Sequence, residues 1–171
     1  RELALYGEGV FLTRLGQRSQ GALALRKLER LFPQSPYLGE AHLILAQEAV
    51  ERRRFTEAET RLRRALQADI PIESKRQAQE LLLWVFVATN RPAQGLPVAE
   101  ALHPIGNGKP SERGLAALTE VLAHANRRTE AEAALTDLKS LYPTSSLVPR
   151  AELALGRMLG QAGDALAAAQ R

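Results

Sequence analysis

The stretch LERLFPQSPYLGEAHLILA, residues 28–46, occurs a second time as LKSLYPTSSLVPRAELALG at residues 138–156. The two copies share apolar and turn residues at a constant offset of 110. The shared positions are Leu28 and Leu138, Leu31 and Leu141, Phe32 and Tyr142, Pro33 and Pro143, Ser35 and Ser145, Ala41 and Ala151, Leu43 and Leu153, and Leu45 and Leu155. A phrase that recurs in this way indicates an internal structural repeat.

Small residues recur along the whole chain with a period that matches this repeat. They stand at Gly21, Ala58, Gly95, Ala131 and Ala168, with separations of 37, 37, 36 and 37. A period of this size is typical of stacked helical hairpins, each too small to bury its own apolar face. In this interpretation, each small residue lets the second helix of a hairpin cross the first closely.

The recurring phrase has the features of a joint between two hairpins. Phe32 ends a helix, Pro33 stops it, and Ser35 with Pro36 supplies an N-cap and a first-turn proline for the next helix. Within hairpins, TEAE at 56–59 and again at 129–132 has the pattern of a capping box, and Ser74 with Gln77 repeats it. We therefore expect Thr56 and Thr129 to cap second helices.

These signals predict one repeat domain over residues 1–171, made of about five hairpins and without strands. The predicted hairpins are 2–34, 35–71, 73–104, 111–144 and 146–171. The predicted helices are 2–15, 19–32, 37–53, 56–68, 74–90, 93–103, 112–126, 129–141, 147–162 and 164–171. Gly95, Pro97 and the linker HPIGNGKPSE at 103–112 predict that the second helix of hairpin three is short, late or kinked.

The bulk composition excludes several classes of site. A chain of 171 residues with 45% hydrophobic content can bury a core, and the absence of cysteine excludes disulfides, thiolate metal sites and cysteine nucleophiles. The net charge of +4 raises the alternatives of a polyanion site or a site for an acidic protein surface. However, the basic run at 52–64 is interspersed with acidic residues and, with Phe55 as its single aromatic residue, lacks the aromatic interleaving expected for base stacking. We interpret it as a solvated helix face and expect no nucleic-acid partner.

The spacing of polar residues gives no catalytic, cofactor or metal site. The three histidines, His42, His103 and His124, fall in different predicted hairpins without metal-binding spacing. GNGKP at 106–110 lacks the strand and full spacing of a phosphate loop and is interpreted as a flexible linker. We therefore expect a non-enzymatic protein-interaction scaffold.

The small positions above, with Gly9 and Gly156 in first helices, the turn AGDALAA at 162–168 and the joint prolines Pro33 and Pro143, resemble the tetratricopeptide repeat (TPR) superfamily. The resemblance implies an all-α, right-handed solenoid whose first helices line a concave groove for a protein or peptide partner. Carried over by position, it gives these partner-binding candidates: Tyr6, Val10, Arg14, Gln47, Trp84, Glu120 and Arg157. Trp84, the only tryptophan, fits either a core role or a groove anchor.

Location and oligomeric state are less constrained by the sequence. The chain begins at Arg1 rather than Met, so we expect a processed or excised piece, and no apolar run reaches the length of a membrane span. The two joint phrases look most like the bacterial envelope branch of the superfamily, such as BamD-like lipoproteins and the Tol-Pal periplasmic coordinator. We therefore expect a periplasmic or outer-membrane-associated scaffold. The alternatives are a cytoplasmic regulatory module or an accessory interaction domain of a larger enzyme, and the oligomeric state is open.

Overall fold

The computed structural model describes residues 1–102 and 109–169, with side chains over 1–102 and 109–163. Within these ranges every regular element is a helix. The α-helices are α1 (Glu2–Arg14), α2 (Arg18–Leu31), α3 (Leu38–Glu51), α4 (Phe55–Gln67), α5 (Ile72–Ala88), α6 (Leu96–Leu102), α7 (Glu112–His124), α8 (Arg128–Leu141) and α9 (Val148–Ala169). A 3-10 turn, Pro92–Gly95, leads directly into α6.

The chain divides into two compact units, Arg1–Gln79 and Glu80–Arg171, here called unit 1 and unit 2. The boundary falls inside α5. Unit 1 contains the hairpins α1–α2 and α3–α4, and unit 2 contains the rest of α5, the 3-10 turn with α6, the hairpin α7–α8, and α9. A single repeat domain over residues 1–171 stays a prediction.

The close crossing of α1 and α2 in unit 1 depends on two glycines. A Cβ atom on Gly9 would lie 2.5 Å from Leu25 Cδ2, and one on Gly21 would lie 2.7 Å from the Gly9 carbonyl oxygen. Leu25 and Leu28 of α2 then pack with Ala41 and Leu45 of α3 in one buried cluster. The predicted small positions are confirmed at Gly21, Ala58, Gly95 and Ala131, which are all buried.

Gly156 does not have the packing role that the sequence predicts. A Cβ atom added there would meet nothing within 4 Å, and the residue is exposed. The prediction of tight packing at Gly156 is therefore wrong, because Gly156 lies on the exposed side of α9, whereas Ala154, Leu155 and Met158 pack against α7 and α8. The side chain of Ala168 lies outside the described residues.

The joint phrase adopts the same structure in both copies, as the offset of 110 predicts. Phe32 ends α2 with φ −136° and ψ 67°, and Tyr142 ends α8 with φ −137° and ψ 65°. The Ser35 hydroxyl accepts a hydrogen bond from the amide of Tyr37, and the Ser145 hydroxyl accepts one from the amide of Leu147. The two serines therefore organise equivalent turns just before the next first helix. However, Tyr37 is the N-cap of α3, without a side-chain cap, so the predicted N-cap at Ser35 and first-turn proline at Pro36 are wrong.

The turns inside hairpins differ from the prediction. Helices α4 and α8 begin at Phe55 and Arg128, one residue before each predicted cap, and neither has a side-chain cap. Ser74 likewise lies inside α5, where its hydroxyl donates to Glu40. The capping-box predictions at Thr56, Thr129 and Ser74 are therefore wrong.

A left-handed residue closes each of these turns instead. The residues with positive φ are Gly16, Arg53, Asn90 and Asn126, spaced 37, 37 and 36 residues apart. In the first turn the amide of Gln17 donates to the carbonyl of Leu12, and the other three turns repeat this bond. This is the Schellman arrangement, which satisfies the carbonyls at a helix C-terminus.

The predicted fifth hairpin is not formed. Residues 147–162 and 164–171 were expected to be two helices, but α9 continues from Val148 to Ala169. Gly163 follows Asn126 by 37 residues and is the expected left-handed position. One glycine in an alanine-rich helix costs only about 1 kcal/mol, which the helix can tolerate. The helix therefore continues through Gly163.

The second helix of hairpin three is short, as predicted from Gly95 and Pro97. The segment begins as the 3-10 turn Pro92–Gly95 and continues as the seven-residue α6. His103 and most of the GNGKP linker lie outside the described residues. At its end, the Lys109 ammonium lies 4.6 Å from the Tyr142 ring centroid, and Pro110 accepts a hydrogen bond from the Tyr142 hydroxyl.

The arginine run at 52–64 is engaged in ion pairs inside unit 1. Glu48 has a side chain only 6% exposed, and its carboxylate pairs with Arg52, Arg54 and Arg26. Arg61 and Arg64 pair with Glu29 on α2, and Arg63 pairs with Glu59. These basic residues therefore bind helices α2, α3 and α4 to one another.

Candidate functional site

An open cleft of about 240 Å³ lies in unit 2, where the end of α5 and the following turn meet α7 and α9. We call it the unit 2 cleft. It is lined by Val87, Asn90, Pro92, Glu120, Arg150, Leu153, Ala154 and Arg157. The four residues from α9 have the spacing i, i+3, i+4 and i+7, so they form one face of that helix.

Arg150 connects the elements that form the cleft. Its Nε atom lies 2.6 Å from Glu120 Oε1 on α7, and its Nη2 atom donates to the Val87 carbonyl of α5 at 3.4 Å. Its guanidinium carbon also lies 5.5 Å from the centroid of the Trp84 ring, within cation–π range. Arg150 therefore contacts two helices and an aromatic ring at once, although its side chain is 43% exposed.

Trp84 supports the cleft from α5 without lining it. Its ring is half-buried and packs against a cluster that contains Leu83, Ala117 and Val121. The guanidinium of Arg113 lies 5.7 Å from the same ring. Part of the indole therefore packs in the core, in line with the core role, while its surface carries two arginines; the role of a groove anchor stays a prediction.

Glu120 is the acidic member of the cleft. Burial raises the pKa of this carboxyl group above its usual value, and the hydrogen bond and charge of Arg150, with the charge of Arg157, oppose that rise. Its side chain is 16% exposed, so the pair with Arg150 is shielded from solvent on one side. The pair fixes the position of the Arg150 guanidinium.

The apolar wall of the cleft comes from Leu153 with Val87 and Ala154. Leu153 is 55% exposed, whereas its equivalent in the first copy of the joint phrase, Leu43, is 4% exposed. The two positions have the same place in the repeat but different surroundings. The cleft therefore presents a leucine side chain that the equivalent position in unit 1 buries.

Three of the seven predicted site residues come together here. Glu120 and Arg157 line the cleft, and Trp84 contacts its central residue Arg150. The other four, Tyr6, Val10, Arg14 and Gln47, belong to unit 1 and do not form part of the unit 2 cleft. Arg14 and Gln47 are exposed, and Val10 is half-buried.

Tyr6 has a structural role in unit 1. Its hydroxyl donates to the Glu40 carboxylate, and its ring stacks on Tyr37 with 5.0 Å between centroids. The same carboxylate accepts from the Ser74 hydroxyl at 3.2 Å. Burial, and then the hydrogen bond and charge of Glu40, raise the pKa of Tyr6 well above its usual value. These contacts connect α1, α3 and α5.

Arg150 and Arg113 are the residues that the sequence reasoning missed. Arg150 stands 110 residues after Glu40, so the second copy of the joint phrase replaces an acid with a base. Arg150 also precedes Leu153 and Arg157 by three and seven residues, the spacing of one helical face. That spacing was the available signal.

The described residues show no alternative chemical site. Among them, no group of three His, Cys, Asp or Glu side chains is placed to hold a metal ion. His42 is buried against Arg61, with 3.4 Å between its Nδ1 and a guanidinium nitrogen. No helix in the described part of the chain has the length and apolar character needed to cross a bilayer.

Comparison with known proteins shows a similarity in fold to a solved structure. No protein-family model matches the chain, and no curated protein matches it. The chain is similar to the crystal structure of YrrB, described as a TPR protein with an unusual peptide-binding site. The TM-score is 0.72 at 15% sequence identity, and the match covers 95% of this chain and 78% of that one. The predicted fold class is thereby confirmed: the chain has an all-α, TPR-like fold of helical hairpins.

Proposed function

We propose that this chain is a non-enzymatic interaction scaffold that binds a peptide or protein segment in the unit 2 cleft. The observation that carries the proposal is the unit 2 cleft itself, which combines a fixed guanidinium, Arg150, with an exposed apolar side chain, Leu153. Apolar side chains with arginine at their margin are typical of protein-interaction surfaces. YrrB, which shares the fold, is itself described as having a peptide-binding site.

The position of the cleft also supports the proposal. Helices α5, α7 and α9 are the first helices of their repeats, and in helical-repeat proteins successive elements form extended concave binding surfaces. An extended peptide can meet all three helices there, because the lining residues come from each of them. Shape and side-chain chemistry therefore favour a polypeptide ligand.

Selection from a random peptide library displayed on phage tests this function. We expect the chain to enrich a related set of sequences, and synthetic copies of them to bind in solution. Leu153→Ser and Arg157→Ala should weaken that binding, while Arg63→Ala on α4 should leave it unchanged. Both cleft side chains are exposed, so the variants should fold. The unit 2 cleft is rejected as the binding site if the selection enriches no related sequences. It is also rejected if Arg63→Ala removes binding and the two cleft variants do not.

We further propose that the scaffold serves a bacterial cell-envelope assembly, in the periplasm or at the outer membrane. The support is the resemblance of the joint phrases at 28–46 and 138–156 to envelope members of the TPR superfamily. Fusion of the natural precursor to alkaline phosphatase, which is active only after export, tests the location. An inactive fusion that accumulates in the cytoplasm would reject it.

A further inference from the structure

The charges around the unit 2 cleft are unbalanced. Arg150 and Arg157 line it together with a single carboxylate, Glu120, and Arg113 lies outside the lining, over the Trp84 ring that Arg150 also contacts. Two guanidinium groups among the lining residues are therefore opposed by one acid. Unit 1 has the opposite character at the equivalent place, because Glu40 stands where Arg150 stands in unit 2.

The three arginines, Arg113, Arg150 and Arg157, differ in whether they form an ion pair. Arg150 is neutralised by Glu120, to which it is joined at 2.6 Å. Within the part of the chain that the structure describes, neither Arg113 nor Arg157 forms an ion pair. Both are exposed, and neither is neutralised by an ion pair as Arg150 is, although the charge of Arg157 also acts on Glu120. The free charge beside the cleft is thus positive.

The apolar side chain of Leu153 and the guanidinium of Arg157 are also close enough for one peptide segment to contact both. Leu153 and Arg157 are one helical turn apart on the same face of α9, a separation of about 6 Å along the axis. An extended polypeptide places successive side chains on alternate sides, with about 6.6 Å between side chains on one side. One segment can therefore place an apolar side chain against Leu153 and a carboxylate against Arg157.

From this placement we infer that the cleft is selective for an acidic segment, in which aspartate or glutamate stands two positions away from a leucine-like residue. This inference rests on the proposed function and adds the class of partner. Arg157 and Arg113 pair with the carboxylates of the segment, and Leu153 and Val87 receive its apolar side chain. The Glu120–Arg150 pair fixes the position of the Arg150 guanidinium in the cleft.

A comparison of three synthetic hexapeptides tests this inference. The acidic probe is acetyl-Asp-Leu-Glu-Asp-Leu-Glu-amide, the neutral probe replaces its acids with Asn and Gln, and the basic probe replaces them with Lys. The fluorescence of Trp84 reports binding, because it is the only tryptophan and contacts Arg150. We expect the acidic probe to bind on the order of tenfold more tightly than the neutral one. The advantage should shrink when salt rises from about 50 mM to about 500 mM, because ions screen exposed charges.

A charge reversal separates recognition from a structural effect. Arg157→Glu should remove the preference for the acidic probe and favour the basic one, whereas Arg63→Glu, whose native side chain is 58% exposed on α4, should change neither. Thermal unfolding of each variant checks the fold. Equal or tighter binding of the neutral or basic probe by the wild type, or no binding of the acidic probe, would overturn the acidic preference. The proposed function is judged separately, by the library selection.

Discussion

The guanidinium of Arg150 lies 5.5 Å from the ring centroid of Trp84 while its Nε atom pairs with Glu120. One side chain of α9 is thus held by an aromatic group of α5 and an acid of α7. The relationship matters because the two partners fix a charged group that is otherwise mobile. It also connects the core of unit 2 to the surface proposed to bind a partner.

A double-mutant cycle on Trp84→Leu and Arg150→Gln measures this relationship. We expect a coupling free energy of unfolding of about 0.5–1 kcal/mol, the usual range for an exposed cation–π pair. Chemical denaturation of the four proteins, followed by far-ultraviolet circular dichroism, gives the value. Strictly additive effects would mean that the ring does not hold the guanidinium.

Gly9 and Gly7 form a matched pair for testing the crossing of α1 and α2. Gly9→Ala should lower the free energy of unfolding by about 1–3 kcal/mol, because its Cβ would meet Leu25 at 2.5 Å. Gly7→Ala, with nothing within 4 Å, should raise it by up to about 1 kcal/mol through helix propensity. Urea denaturation measures both free energies of unfolding. Similar changes at the two sites would contradict the close crossing of α1 and α2 at Gly9.

Arg53 is a left-handed residue where the equivalent turns have glycine or asparagine. Its φ of 57° is unfavourable for a side chain other than Gly, Asn or Asp. Arg53→Gly should therefore stabilise the protein by about 1 kcal/mol. Gly16→Ala, with φ 80°, should destabilise it by a similar amount. Thermal unfolding measures both, and a destabilised Arg53→Gly would contradict the turn geometry.

His42 gives unit 1 a pH dependence with a defined sign. Burial first, and then the charges of Arg61 and Arg64, lower the pKa of His42 below 6.5, although Glu29 opposes them. The unfolded chain therefore binds a proton at a higher pH than the folded chain. As pH falls through 6.5 toward the folded pKa, His42 should reduce stability.

The His42→Gln variant isolates this effect. The free energy of unfolding of the wild type should fall more steeply between about pH 7 and pH 5 than that of the variant, because only the wild type carries this imidazole. The difference in slope is the readout, since the substitution also changes packing. Parallel slopes, measured by urea denaturation at each pH, would mean that His42 titrates alike in both states.

The joint phrase could be predicted because its determinants are local. Proline stops a helix and serine organises the next turn without help from distant residues, so Phe32 and Tyr142 adopt the same conformation in both copies. The hairpin turns were mispredicted because the TEAE pattern imitates a capping box. The true signal is the left-handed position, and it is hidden at Arg53, which is neither glycine nor asparagine.

The site was less predictable because its contacts span long separations in sequence. Helical periodicity predicted first-helix positions for Trp84, Glu120 and Arg157, and the structure places Glu120 and Arg157 in the lining of one cleft with Trp84 next to it; their role in binding a partner stays a prediction. The role of Arg150 depends on Trp84 and Glu120, which stand 66 and 30 residues before it. Only the packing of three helices brings those groups to one side chain.

Photo-crosslinking at one of two exposed leucines tests the proposed cleft most directly. Leu153 in the unit 2 cleft is 55% exposed, and Leu23 on α2 of unit 1 is 64% exposed. Each is replaced in turn by benzoyl-phenylalanine and irradiated with a library-selected peptide, and mass spectrometry locates the crosslink. The cleft predicts a peptide adduct at position 153 and none at position 23. An adduct at position 23, or none at position 153 while the peptide still binds, would contradict it.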